Sequence, residues 1–179
     1  MSEQVRPASS GARRTVVNMF RSLVPLTVLI VVLVVVFQPG HRTSTPTVNP
    51  APDFGYVASQ LRTAVPSPHG LAKGWRSTSS DVASAAPGRA AASVDVGYLT
   101  PGGNFARLVE SGRPAAAVVR AELGAPTRAG VVTIAGRTWA RYRTDRGELV
   151  LAATLGRIGV MITGNASLAE QRTLAGSLR

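Results

Sequence analysis

"GVVTIAGRTWARYRTDRGELVLAATLGRIGVMITG" occupies residues 130–164. It breaks into four short apolar runs, "GVVTIAG", "RTWARYRT", "ELVLAATLG" and "RIGVMITG", separated by turns such as Asp145-Arg146-Gly147. Runs this short, rich in β-branched and aromatic residues and joined by glycine-bearing turns, predict four strands in an antiparallel meander. The third and fourth runs are apolar on both parities: Leu149, Val150 and Leu151, then Val160, Met161 and Ile162. Successive strand residues point to opposite faces, so such strands belong in mid-sheet with both faces covered.

The sequence around the meander supplies the cover. "SLAE" at Ser167 to Glu170 is a capping box that opens a last helix carrying Leu168, Leu174 and Leu178. "RPAAAVVRAELG" predicts a helix with Pro114 in its first turn and Gly124 as its stop. Phe54, Val57, Ala58, Leu61 and Val65 recur at helical spacing after an Asp53 cap and before Pro66. "HGLAKGWRSTSSDVAS" reads as a turn and a strand near Trp75, and "ASVDVGYLT" alternates Val94, Val96 and Tyr98 against polar neighbours as a half-buried strand. "NFARLVES", with Asn104 as cap, predicts a short helix. The expected fold is α+β, an antiparallel sheet covered by helices.

Upstream, residues 23–37 are apolar except for Pro25 and Thr27 and carry no charge. As a helix they span ~22 Å, and extension back to Phe20 with a snorkelling Arg21 approaches the ~30 Å hydrocarbon core. The thirteen Leu, Ile, Val and Phe residues favour insertion by about 4–8 kcal/mol in total. In lipid a lone segment must satisfy its backbone internally, so the β-branched run becomes a helix. No small-x-small cleavage site lies close behind it, which predicts a retained anchor and not a cleaved signal. Arg6, Arg13, Arg14 and Arg21 precede the run against Glu3 alone, placing the N-terminus in the cytoplasm and the rest outside it. The expected organisation is a polar tail over 1–19, a membrane helix over 20–37, a Pro/Thr-rich tether over 38–52 and an extracytoplasmic α+β domain over 53–179, anchored in the plasma membrane.

The 179-residue chain has a formal net charge of +11, Lys73 as its single lysine and no cysteine. The lack of cysteine excludes disulfides, thiolate metal sites and a cysteine nucleophile. His41 and His69 are isolated, so no zinc or other metal site is expected. "PGGN" and "TGNAS" lack the spacing of a phosphate loop or a dinucleotide fingerprint, so no cofactor is expected. Asn165-Ala166-Ser167 matches a glycosylation sequon but reads as the entry to the last helix. The acids Asp81, Asp95, Glu110, Glu122, Asp145, Glu148 and Glu170 are dispersed, and no catalytic residue stands out.

One constellation remains. Arg137, Trp139, Arg141 and Arg143 share parity, so a regular strand sets them on one face. Guanidinium groups beside an indole can hold an anionic group through bidentate hydrogen bonds and cation–π contact. The competing reading is a solvated face on which arginine stems cover Trp139 while Ala140 and Tyr142 point to the core.

The basic leader, single apolar span and Pro-rich tether, followed by "GWRSTSS", "VGYLTPGGNFARLVES", "AGRTWARYR" and "ITGNASLAEQ", resemble the actinobacterial domain-of-unknown-function family 4245. That resemblance implies a small single-pass membrane-anchored protein and brings no catalytic residues. The element order is also similar to the Mog1/PsbP-like α/β/α sandwich, a likeness of topology that leaves function open. Two classes of function follow. The first is a non-catalytic envelope module, binding or accessory, whose partners are the bilayer and an anionic lipid, wall polymer or envelope protein, with nucleic acid disfavoured by location. The second is an extracytoplasmic hydrolase that assembles a carboxylate pair by folding.

Overall fold

The computed structural model describes residues 46–85 and 91–179, and the compact unit to which they belong begins at Thr45. The apolar run at 23–37, the tail before it and the start of the tether lie outside the described residues. No helix among the described residues is long and apolar enough to cross a membrane.

The domain begins earlier than its composition suggests. The Val48 N–H donates to the Ser77 carbonyl at 2.9 Å, and the Ser77 hydroxyl donates back to the Val48 carbonyl. Helix α1 then runs Ala51–Leu61 with Pro50 at its N-cap position. Asp53 is therefore in the first turn and is not the cap. Its carboxylate sits at the positive end of the helix dipole and accepts from the Ser80 hydroxyl. The helix ends before Pro66, where Arg62 turns left-handed at φ 50°.

Strands β1 (Arg76–Ala83), β2 (Ser93–Leu99) and β3 (Phe105–Ser111) follow, then helix α2 (Ala115–Leu123). Strands β4 (Thr127–Ile134), β5 (Arg137–Arg143), β6 (Leu149–Leu155) and β7 (Ile158–Thr163) complete the sheet before helix α3 (Leu168–Ser177). All pairings are antiparallel, in the order β1-β2-β3-β7-β6-β5-β4. Two meanders thus meet where β3 pairs with β7. Helix α2 carries the chain from the middle of the sheet to its far edge.

The stretch 105–111 is a strand and not the helix its local sequence predicts. Phe105, Leu108 and Val109 mimic helical spacing, yet Asn104 closes a hairpin instead of capping a helix. The Thr100 N–H donates to the Asn104 carbonyl at 2.8 Å, the Asn104 N–H donates to the Thr100 hydroxyl at 3.1 Å, and Gly103 takes φ +77° in the turn. Tertiary pairing on both sides, with β2 and β7, overrides the local preference.

The sheet separates two cores. The larger lies under α1 and α3 and joins Phe54 and Val57 to Val94, Val96, Leu108, Leu151, Val160, Ile162, Leu174 and Leu178. The smaller lies under α2, where Val118 and Val119 meet Val109, Val150, Ala152 and Met161. Strands β6 and β7 are therefore apolar on both parities because both faces are covered, as their sequences predict. Gly159 marks the closest approach. A Cβ there would lie 2.1 Å from the Arg113 carbonyl oxygen, so only glycine admits the start of α2 onto β7. At the last helix the capping box is complete: Ser167 accepts from the Glu170 N–H, and the Glu170 carboxylate accepts from the Ser167 N–H.

Candidate ligand-binding surface

Strand β5 carries the four residues singled out by parity, and its register fixes their surroundings. Arg137 stands opposite Ile134, Trp139 opposite Val132 on β4, and Arg141 opposite Leu151 on β6. These neighbours belong to or pack on the larger core, so the shared face of the four residues is the one covered by helices. Trp139 is 0% exposed and cannot touch a ligand. The four residues share a face of β5, but the indole belongs to the core. Tyr142, on the opposite parity, packs partly buried against the smaller core, so β5 contributes to both layers.

The arginines flank the indole toward the rim. Arg137 is exposed, and its Nη1 donates to the Leu178 carbonyl at 2.9 Å, at the C-cap of α3. A guanidinium there complements the negative end of the helix dipole. Arg143 is exposed, and its Nη1 donates at 3.3 Å to the Gly147 carbonyl in the β5–β6 turn. Arg141 is half-buried; its Nε is shielded without a hydrogen-bond partner, as is Trp139 Nε1. Gln171, fully buried on α3, donates to the Leu149 and Ala166 carbonyls at 3.1 and 3.3 Å and leaves Oε1 unpartnered. Exposed Arg128 stands opposite Tyr142 on the other face of the sheet, and exposed Arg146 is in the β5–β6 turn.

The carboxylates take separate paths. Arg107 grips Asp95 through Nε (3.0 and 2.9 Å) and Nη2 (2.5 Å), and the same Nη2 reaches Glu122 on α2 at 2.7 Å. Among the described residues these are the only ion pairs. Donors from Thr100, Ser167 and Asn104 hold the half-buried Glu170 carboxyl down at about 2. Glu110, by contrast, is 0% exposed within the larger core, opposite Val94 and Val160. Neither of its carboxyl oxygens has a partner, and burial pushes its pKa well above the usual glutamate range. Sequence reasoning passed over Glu110 because its place between Val109 and Ser111 looks like one more solvated acid.

Two clefts flank the loop at Ala125 and Pro126. One, of about 450 Å³, is lined by Glu122, Asp145, Arg146 and Glu148. The other, of about 420 Å³, is floored by Val119, Pro126 and Tyr142 beside Arg120. Among the described residues no group of three His, Cys, Asp or Glu side chains is arranged to hold a metal ion.

Fold and surface together define an α+β module with five arginines outside any ion pair among the described residues on β4, β5 and the turn after them. The sequence profile described as Protein of unknown function (DUF4245) matches residues 12–178, and the chain belongs to that family. No curated protein and no solved structure matches it.

Proposed function

We propose that the chain is a membrane-anchored, non-catalytic module of the cell envelope that holds its α+β domain outside the cytoplasm and binds an anionic partner. The observation that carries this reading is the uncharged run at 23–37 behind Arg6, Arg13, Arg14 and Arg21. The exposed arginines of the described domain add to it. Arg128, Arg137, Arg143 and Arg146 lie within one stretch of two strands and a turn, without carboxylate partners among the described residues. Anionic lipid, wall polymer or an acidic envelope protein would meet such a surface through charge-assisted hydrogen bonds. The layering of helices on both faces of the sheet suits the Mog1/PsbP-like reading, which adds nothing to function.

A hydrolase is the second reading, and the cleft that brings Asp145 and Glu148 beside Glu122 is its support. Glu122 is engaged by Arg107, and Asp145 and Glu148 flank a tight turn closed by the Gly147-to-Thr144 and Thr144-to-Glu148 backbone bonds. The binding reading therefore ranks first. Protease added to intact spheroplasts tests it: the domain from Thr45 onward should be digested and the N-terminal tail spared. Protection of the domain overturns the orientation, and a mature N-terminus between Gln38 and Pro52 overturns the anchor.

A further inference from the structure

The two edges of the sheet differ. At the β1 edge the segment entering the domain lies alongside the strand through the Val48–Ser77 bonds. At the other edge β4 ends the strand order, and no described residue pairs with its outer side. An uncovered edge strand presents a row of backbone donors and acceptors that another chain can use. Natural edges are commonly blunted by lysine, proline or a bulge. Strand β4 contains no lysine or proline, and its bulge is confined to one end, between Arg128 and Gly130. The remainder, Val131 to Ile134, keeps regular register with β5, and Val131 is 58% exposed.

We propose that this edge receives an extended acidic segment of a partner polypeptide as an eighth strand. Charge selects the occupant. Side chains of an added strand alternate between the two faces of the sheet. One face presents Arg137, Arg141 and Arg143; the other presents Arg128, with Arg120 beyond it at the groove beside Tyr142. None of these arginines is ion-paired among the described residues. The nearby acids line the cleft at Ala125 and Pro126 that precedes β4: Asp145 and Glu148 beside the β5–β6 turn, and Glu122, which is already held by Arg107. A second copy of this chain would set an identical group of arginines near this one, and groups of like charge repel. Acidic side chains replace that repulsion with attraction, while main-chain hydrogen bonds hold the strand.

The proposal rests on the binding-module reading but not on its topology, so spheroplast proteolysis and the following test fail independently. The full chain in neutral detergent micelles is titrated into a labelled octapeptide of alternating valine and glutamate. Two control peptides accompany it, one with proline replacing alternate valines and one with lysine replacing glutamate. The valine–glutamate peptide should bind and release with added salt. The proline peptide, equal in charge but unable to form the ladder, should bind at least about tenfold more weakly. The lysine peptide should not bind. Amide exchange of residues 127–134 should slow in the complex while that of residues 76–83 is unchanged. Arg128→Glu and Arg143→Glu should each weaken binding several-fold with the circular dichroism spectrum retained. Equal binding of the proline peptide would reduce the edge to a counter-ion surface and overturn the proposal. So would the absence of binding, or crosslinking of the full chain into dimers through Val131→Cys, which assigns the edge to a second copy.

Discussion

The two faces of the sheet handle charge in opposite ways. Under α2, where the apolar layer is thin, Asp95, Arg107 and Glu122 are tied into one network and stay half-exposed. Under α1 and α3, where the core is larger, Glu110 is sealed with no partner at all. The two acids are close neighbours in the same hairpin: Asp95 pairs with Val109, and Val94 pairs with Glu110. One step of register separates a carboxylate gripped by a guanidinium from a carboxyl whose pKa burial pushes up. The ordinary group is also affected by its neighbour, for burial and then the nearness of Glu110 raise the Tyr98 hydroxyl above its usual range. A thin layer tolerates paired charge at its rim, whereas a thick one disfavours the charged form of an unpaired group.

The contrast can be broken from three sides. Trp139→Ala should have the largest effect, destabilising the domain by about 3–5 kcal/mol in a denaturant melt, because it empties the centre of the thick layer. A loss under about 1 kcal/mol would mean that the indole is a surface group after all. Next, Glu110→Leu should stabilise by about 1–3 kcal/mol at neutral pH, since an unsatisfied buried polar group is replaced by an apolar one of similar size. The sign with pH follows from the raised pKa. Unfolding releases a proton from Glu110 wherever the pH exceeds the ordinary value of about 4.3 but lies below the folded one. Stability of the unmutated chain therefore falls as pH rises through that window, and the part lost to Glu110 is recovered below it. Melts repeated from acid to neutral pH should show a slope that Glu110→Leu flattens; an identical slope in the variant would mean that Glu110 is solvated or paired. The smallest effect belongs to the other face. Arg107→Ala should cost about 1 kcal/mol or less, because its partners are a third exposed, and the cost should shrink in high salt.

Much of the architecture is legible along the chain. The apolar runs of β6 and β7, the Ser167–Glu170 box and the Pro114–Gly124 bracket around α2 are local patterns with local causes. Between residues 99 and 105 the turn residues of "LTPGGNF" mark the end of β2, but the helix-like spacing after them hides the strand that follows. What no local pattern carries is the identity of the covering layer. Trp139 and Tyr142 are both large and amphipathic and lie on opposite parities of β5, so neither parity names the element that covers it.

Composition and periodicity alone determine that this chain has an uncharged run long enough to suggest a membrane anchor, strands and helices in α+β order, and an arginine-rich strand with its charges on one parity. Those properties depend on residues adjacent in sequence, where backbone geometry sets the spacing. Tertiary structure decided that Asn104 leads into a strand, that Trp139 goes inside with its arginine neighbours left at the rim, and that Glu110 is buried away from water. Each of those outcomes depends on what packs against the strand: β7 beside β3, and α3 over β5 and β6 from some thirty residues downstream. A strand's own sequence names its two faces but not their neighbours, because the free energy of burying either one is set by the element that arrives to cover it.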